Sequence, residues 1–319
     1  MAITVAAALV SLAVGSRSLP TAEVVRVLLE ADGSDTSAIV RELRLPRTVL
    51  GLIVGAALGV AGAQLQGLTR NPLADPGLLG VSGGAALGVV ATGSVLGVGG
   101  ATGQAWAALV GALLATGAVW LLAGQGRGRS PLDLVLAGVA LTALLGSLTT
   151  VLVLLDADTL DEYRFWAVGS LAGRDPALLG GVAPLLLLGL VLAVATVRTL
   201  DVLALGDDLA AGLGSRVAWG RGGVALSATL LTAGAVAVCG PLIFVGLVVP
   251  HLARAVVGPA HLWLLPLSAL FGASLLLLAD TLGRVVVRPA ELQVGIVTAL
   301  VGAPVLIALV RRQRRVVGA

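Results

Sequence analysis

Apolar residues run along this chain in long blocks separated by short polar, Gly- or Pro-containing stretches. An apolar run of roughly 18 residues or more is long enough to cross a hydrocarbon core as a helix. On that criterion the pattern predicts about ten membrane helices, at residues 2–16, 46–68, 78–97, 103–123, 131–155, 177–197, 222–239, 243–257, 262–282 and 292–310. Polar stretches lie between them: Arg17 to Arg44, Asp156 to Arg164, and a loop at about 199–221. The turn Arg70-Asn71-Pro72-Leu73-Ala74-Asp75-Pro76 follows the second span, and Gly240-Pro241 separates the seventh from the eighth. The apolar start, Met1 to Val14, lacks a basic leading stretch and a cleavage-type ending. It reads as a shortened first membrane helix, not a signal peptide.

Composition agrees with this pattern. Hydrophobic residues make up 58% of the chain, charged residues 12%, and mean hydropathy is +1.05. A soluble domain carries about 25% charge to face water. The 44 glycines suit close helix–helix approach in a bilayer. The expectation is an all-α integral membrane protein forming a single transmembrane domain over residues 1–319.

Charge narrows the function. All 20 basic residues are arginine. A phosphate-binding GxxxxGK[ST] loop needs its lysine, so any ATP that drives this protein binds to another chain. The net charge of +3 does not argue for nucleic acid. Cys239 is alone, and His251 and His261 lack the clustered carboxylates or thiols of a metal site. No cofactor is expected on this chain, and no constellation of catalytic groups lies within the spans. Asp280 is the main ionisable residue inside an apolar block, four residues before Arg284, where one helical face can pair them. A proton- or sodium-coupled carrier generally needs more such groups, so an ion-coupled secondary transporter is the weaker alternative. An even number of spans puts both termini on one side. The arginines divide almost evenly between the two faces, but Arg127, Arg129 and the terminal Arg311, Arg312, Arg314 and Arg315 favour the cytoplasm.

Three segments are more specific than composition. The first is Arg44-Leu45-Pro46-Arg47, leading through Gly55-Ala56-Ala57-Leu58, Gly62, Gln64 and Gln66 to the turn at 70–76 and Gly77-Leu78-Leu79-Gly80. The second is Leu205-Gly206-Asp207-Asp208-Leu209-Ala210-Ala211-Gly212-Leu213-Gly214. The third is Phe244 to His251 with Arg254, continuing through Pro266, Gly272, Asp280 and Arg284 to Glu291-Leu292-Gln293-Val294-Gly295 and Gly302-Ala303-Pro304. In order and spacing these resemble the FecCD family of permeases, which serve ABC importers of iron–siderophore complexes, haem and vitamin B12. The resemblance runs from about residue 40 to 310.

The resemblance implies a type II ABC importer permease fold with ten membrane helices per subunit. It implies a second copy of the chain, or a homologous permease, as partner. Two cytoplasmic subunits would bind ATP and Mg, and an extracytoplasmic binding protein would dock from outside, placing the chain in a bacterial cytoplasmic membrane. Arg44, Arg47 and Arg284 match arginines that pair with glutamates of the binding protein, and exposed arginines make forked contacts to carboxylates. Leu205, Gly206, Asp207, Asp208, Leu209, Leu213 and Gly214 match the coupling helices that sit in a groove of the ATPase. The three leucines form an i, i+4, i+8 stripe suited to such a groove. Ser130, Pro131 and Leu132 match the gate region, and Ser147, Thr149 and Thr150 stand where hydroxyls would line the path, unless they bond their own carbonyls four residues back. Asn71 and Asp75 read as turn and cap residues, and His251 as structural. The implied activity is inward passage of a metal chelate, an iron–siderophore first, with haem and vitamin B12 as alternatives.

Overall fold

The computed structural model describes residues 1–319 except 16–18, 31, 96, 98–99, 124–130, 207–208, 210–216 and 318–319. Among the described residues the regular structure is entirely helical. The helices are α1 (Ala2–Ala13), α2 (Thr21–Leu29), α3 (Asp35–Ala38), α4 (Leu45–Thr69), α5 (Val81–Ser94), α6 (Ala101–Ala123), α7 (Pro131–Leu155), α8 (Ala157–Ala167), α9 (Pro176–Ala195), α10 (Val197–Leu203), α11 (Val217–Cys239), α12 (Val245–Val257), α13 (His261–Val286) and α14 (Val294–Val317). Six helical stretches are long and apolar enough to cross a membrane: Asp35–Thr69, Ala101–Ala123, Asp133–Leu155, Pro176–Ala195, Trp219–Cys239 and His261–Val286. Four further apolar helices are shorter, at Ala2–Ala13, Val81–Ser94, Val245–Val257 and Val294–Ala308.

Helix α4 is the axis of the bundle and is buried over most of its length. Its neighbours come unusually close because glycines face each other. A Cβ on Gly55 would collide with the carbonyl of Gly272 on α13, and one on Gly62 with the carbonyl of Gly246 on α12. The same device joins α5 to α6 through Gly84 and Gly111. Without a hydrophobic driving force between helices in lipid, such close approach supplies dispersion contacts that larger residues would forbid. Gly55→Val should therefore push α4 from α13 and cost about 1–3 kcal/mol. A fall in the detergent melting temperature of the purified protein would register it.

The periphery is equally informative. Leu114, Leu121, Leu154, Leu187 and Val194 are each more than 60% exposed. Apolar side chains in such numbers on an outer surface belong against lipid or another subunit.

Several boundaries differ from the sequence expectation for identifiable reasons. The second span begins earlier than residue 46, because Ile39–Arg44 forms a π-turn that carries the helix upstream. Pro46 has no N–H for the carbonyl four residues back, and the Leu45 amide reaches back five residues to Val40 O. The stretch from Arg17 to Arg44 is not merely polar, since α2 packs Val24 and Val27 into a small core with Leu12 and Val40. The acidic segment at 156–164 is the helix α8, whose start Asp156 caps through the amides of Asp158 and Thr159. The 199–221 loop is helical at both ends, in α10 and the first turn of α11. The third span is shorter than 78–97, and the last runs on into the arginine tail.

Candidate functional site

One end of the bundle gathers charge. There α1 and α13 finish and α4 begins, so carbonyls at the end of α1 need donors that the helix itself cannot supply. Arginines provide them. Arg44 Nη1 donates to Leu12 O at 2.8 Å and Ala13 O at 2.9 Å. Arg284 Nη1 donates to Ser11 O at 3.0 Å and Val14 O at 3.1 Å, and its Nη2 donates to Ser11 Oγ at 2.9 Å. Arg288 Nη2 donates to Gly15 O at 2.5 Å. Cations here also meet the negative end of the α1 dipole.

Asp280 is the hub. Arg47 grips it in a fork, Nε to Oδ2 at 3.0 Å and Nη2 to Oδ1 at 2.8 Å. Arg284 Nε lies 3.2 Å from Asp280 Oδ2, an ion pair by distance though off-line for a hydrogen bond. The i, i+4 pairing read from the sequence is therefore present. Arg47 Nη1 also donates to Glu291 Oε2 at 2.8 Å. The expectation that three arginines stand exposed fails for two of them. Arg44 is 6% and Arg284 3% exposed, because both are occupied with α1. Arg47 remains partly open, at 15% of its side chain.

Two cavities flank this cluster. One, of about 390 Å³, is lined by Arg47, Arg174, Glu162, Ser170, Glu291 and Gln293 among others. The second, of about 300 Å³, is lined by Glu42, Arg44, Arg47, Arg174, Arg284 and Glu291 among others. Arg174 was not singled out from the sequence. Its only signal is a lone arginine in the Gly-rich connection before Asp175-Pro176, which cap the start of α9. Burial lowers the pKa of its guanidinium.

The segment matched above to coupling helices lies at the opposite end, beside the start of α13. Leu205 and Leu209 are 56% and 62% exposed. Gly206 turns the chain at φ +106, a conformation open to glycine and strained for other residues. Asp207, Asp208, Leu213 and Gly214 lie outside the described residues. Just upstream, Asp201 of α10 accepts from the His261 amide at 3.0 Å and meets His261 Nδ1 at 2.7 Å. This clasp fastens the segment to the first turn of α13.

Helix α7 presents most of its surface outward, including Leu136, Val139, Leu144, Leu148 and Val151. Its hydroxyls bond their own carbonyls: Ser147 to Ala143 O at 3.0 Å, Thr149 to Leu145 O at 2.8 Å and Thr150 to Gly146 O at 2.9 Å. Ser147 and Thr150 share the exposed face, whereas Thr149 is packed at 3% exposure. The backbone of Pro131 and Leu132 opens α7, and Ser130 falls outside the described residues.

Buried polar groups inside the bundle are tied to backbone. Gln66 Nε2 donates to Leu247 O at 3.1 Å, and Arg254 Nη1 donates to Gln66 Oε1 at 3.1 Å. Ser227 Oγ donates to Gly189 O at 2.6 Å and lies 3.0 Å from the Gln64 amide. A hydroxyl has one proton, so Gln64 meets it best with its NH₂ turned toward Ser227. Asn71 and Asp75 are turn residues as read, accepting from the amides of Leu73 at 3.0 Å and Gly77 at 2.8 Å.

Apolar helices with a lipid-compatible exterior and polar clusters at both ends define a polytopic helical membrane protein. The FecCD transport family model matches residues 3–312, and the chain belongs to that family, the membrane permeases of ABC importers. It is 45% identical over 280 residues to the ferric enterobactin transport system permease protein FepD of Escherichia coli (strain K12), covering 85% of this chain and 81% of that one. It is 38% identical over 272 residues to the Fe(3+)-citrate import system permease protein YfmD of Bacillus subtilis (strain 168), covering 85% and 81%. A metal-chelate type ABC transporter solved in an inward-facing conformation superposes with a TM-score of 0.83 at 32% identity, over 97% of this chain and 96% of that one.

Proposed function

We propose that this permease passes an iron(III)–siderophore-type chelate into the cytoplasm by alternating access. The observation that carries the substrate is the 45% identity to a ferric enterobactin permease along most of both chains. In this reading the six long and four shorter apolar helices are ten membrane spans, with both termini cytoplasmic. The arginine-rich end faces outward and receives a binding protein. Arg47 offers the direct contact, while Arg44 and Arg284 hold α1 in place beside it. The Leu205–Leu209 face enters a groove of an ATPase subunit, where ATP and Mg bind. The exposed face of α7, with Ser147 and Thr150, meets a second permease copy across the path, and the segment from Ser130 to Leu132 lies at its gate.

The test is uptake into proteoliposomes holding the permease with the ATPase subunit that co-purifies with it, supplied with a binding protein of the same importer. Ferric enterobactin, ferric citrate, haemin and cobalamin are compared. ATP-dependent accumulation should favour an iron chelate by about tenfold or more, a 1.4 kcal/mol discrimination. Preference for haemin or cobalamin would replace the substrate. Uptake that follows an ion gradient without the ATPase would overturn the mechanism.

A further inference from the structure

We infer that Arg174 is a second docking contact on the outer face, taking a carboxylate of the extracytoplasmic binding protein beside Arg47. The inference rests on the importer reading above. It begins with the frame that holds the residue. The connection between α8 and α9 is pinned on several sides: Ser170 N donates to Cys239 O at 2.8 Å, Gly295 N to Gly169 O at 3.2 Å, and Ala172 N to Ser170 Oγ at 3.1 Å. Asp175 then caps α9 through the amide of Ala177 at 2.8 Å. Arg174 Nε donates to Ser170 O at 3.1 Å. The guanidinium is thus held from one edge by a fixed loop.

Its remaining donors are uncommitted. Among the described residues Arg174 makes no ion pair, and it lines both cavities beside the charge cluster. The nearby acids are otherwise engaged. Asp280 is shared by Arg47 and Arg284, Glu291 is held by Arg47, and Glu162 accepts from Gln104 Nε2 at 2.7 Å. Glu42, at the rim of the second cavity, is exposed to solvent. A half-buried guanidinium with free donors has already lost much of its hydration, so an incoming carboxylate gains a charge-assisted fork at reduced desolvation cost.

The remaining question is what supplies the carboxylate. Arg174 sits on a connecting loop at the end of the bundle, outside the apolar spans. The cavities it lines, of about 390 and 300 Å³, adjoin each other and share Arg47, Arg174 and Glu291 in their walls. Each has room for a protruding acidic side chain. A surface meeting a docked protein at this end would touch Arg174 and Arg47 together.

The experiment measures binding of the importer's binding protein to the permease–ATPase complex in nanodiscs, over a range of salt. Arg174→Glu should weaken docking at least about tenfold at low salt and flatten its salt dependence. Arg174→Gln, which keeps the shape, should weaken it less. An acid-to-arginine change on the binding protein should recover the Arg174→Glu loss. Should Arg174→Glu fail to assemble, the Gln variant and the charge swap carry the test. Docking within twofold of wild type in both variants would overturn the inference. So would intact docking with lost uptake, which would make Arg174 a cargo contact. If the wild-type complex binds no binding protein at all, the importer reading falls and takes this inference with it.

Discussion

Asp280→Ala is expected to leave very little folded permease. The carboxylate is 1% exposed, lies within a membrane-crossing helix and is contacted by two guanidiniums. Removing one partner of a buried charge cluster costs about 3–5 kcal/mol, because the remaining charges stay buried without compensation. That is a large part of a typical stability of roughly 5–15 kcal/mol. The damage should also spread. Arg284 is one of three arginines serving the end of α1, so its repulsion from Arg47, left with Glu291 alone, would loosen α1 from α4 and α13. Asp280→Asn, which keeps an acceptor for Arg47, should be milder. Melting of the purified protein, followed by tryptophan fluorescence in detergent, separates these cases. An alanine variant that melts within a degree or two of wild type would show that the cluster is not structural.

That cluster also marks where the sequence could be read and where it could not. Apolar run length located the helices because the solvent of a membrane helix imposes one requirement along its whole length. Helix ends obey local chemistry instead. The π-turn before Pro46 follows from the proline's missing N–H, and α2 is amphipathic but too short and too polar for a span criterion to register. Pairing of Asp280 with Arg284 was legible because both lie on one helix at i, i+4. The fork from Arg47 joins residues 233 positions apart and was not. Motif register found the three arginines but could not say which were spent internally, since that depends on the unmet carbonyls of another helix. Arg174 escaped notice for the same reason: its significance comes from what surrounds it, and a single arginine in a Gly-rich connection has no spacing to read.

Leu209→Asp should abolish substrate-stimulated ATP hydrolysis while leaving the permease folded. The two halves of that expectation have separate grounds. Leu209 is 62% exposed and Leu205 56%, so burying neither side chain contributes to the fold, and a surface substitution of this kind shifts stability by about 0.5 kcal/mol or less. In the assembled importer the same leucine would fill an apolar groove of the ATPase, where a charge without a partner is costly. What the groove grips must also reach the rest of the permease, and the structure offers a route. Val202 and Leu203 lead back to Asp201, which holds both the amide and the ring of His261 at the start of α13. Helix α13 runs 26 residues, with Pro266 inside it, and carries Asp280 and Arg284 toward its far end. At 1.5 Å per residue, His261 to Asp280 is roughly 30 Å of helix. Under the proposed importer mechanism, a displacement of the Leu205–Leu209 segment would reach the arginine-rich end through this helix. Hydrolysis by the reconstituted complex, with and without loaded binding protein, gives the readout. Loss of stimulation with an unchanged melting temperature supports the coupling face, whereas full stimulation in Leu209→Asp removes the leucine stripe from the mechanism.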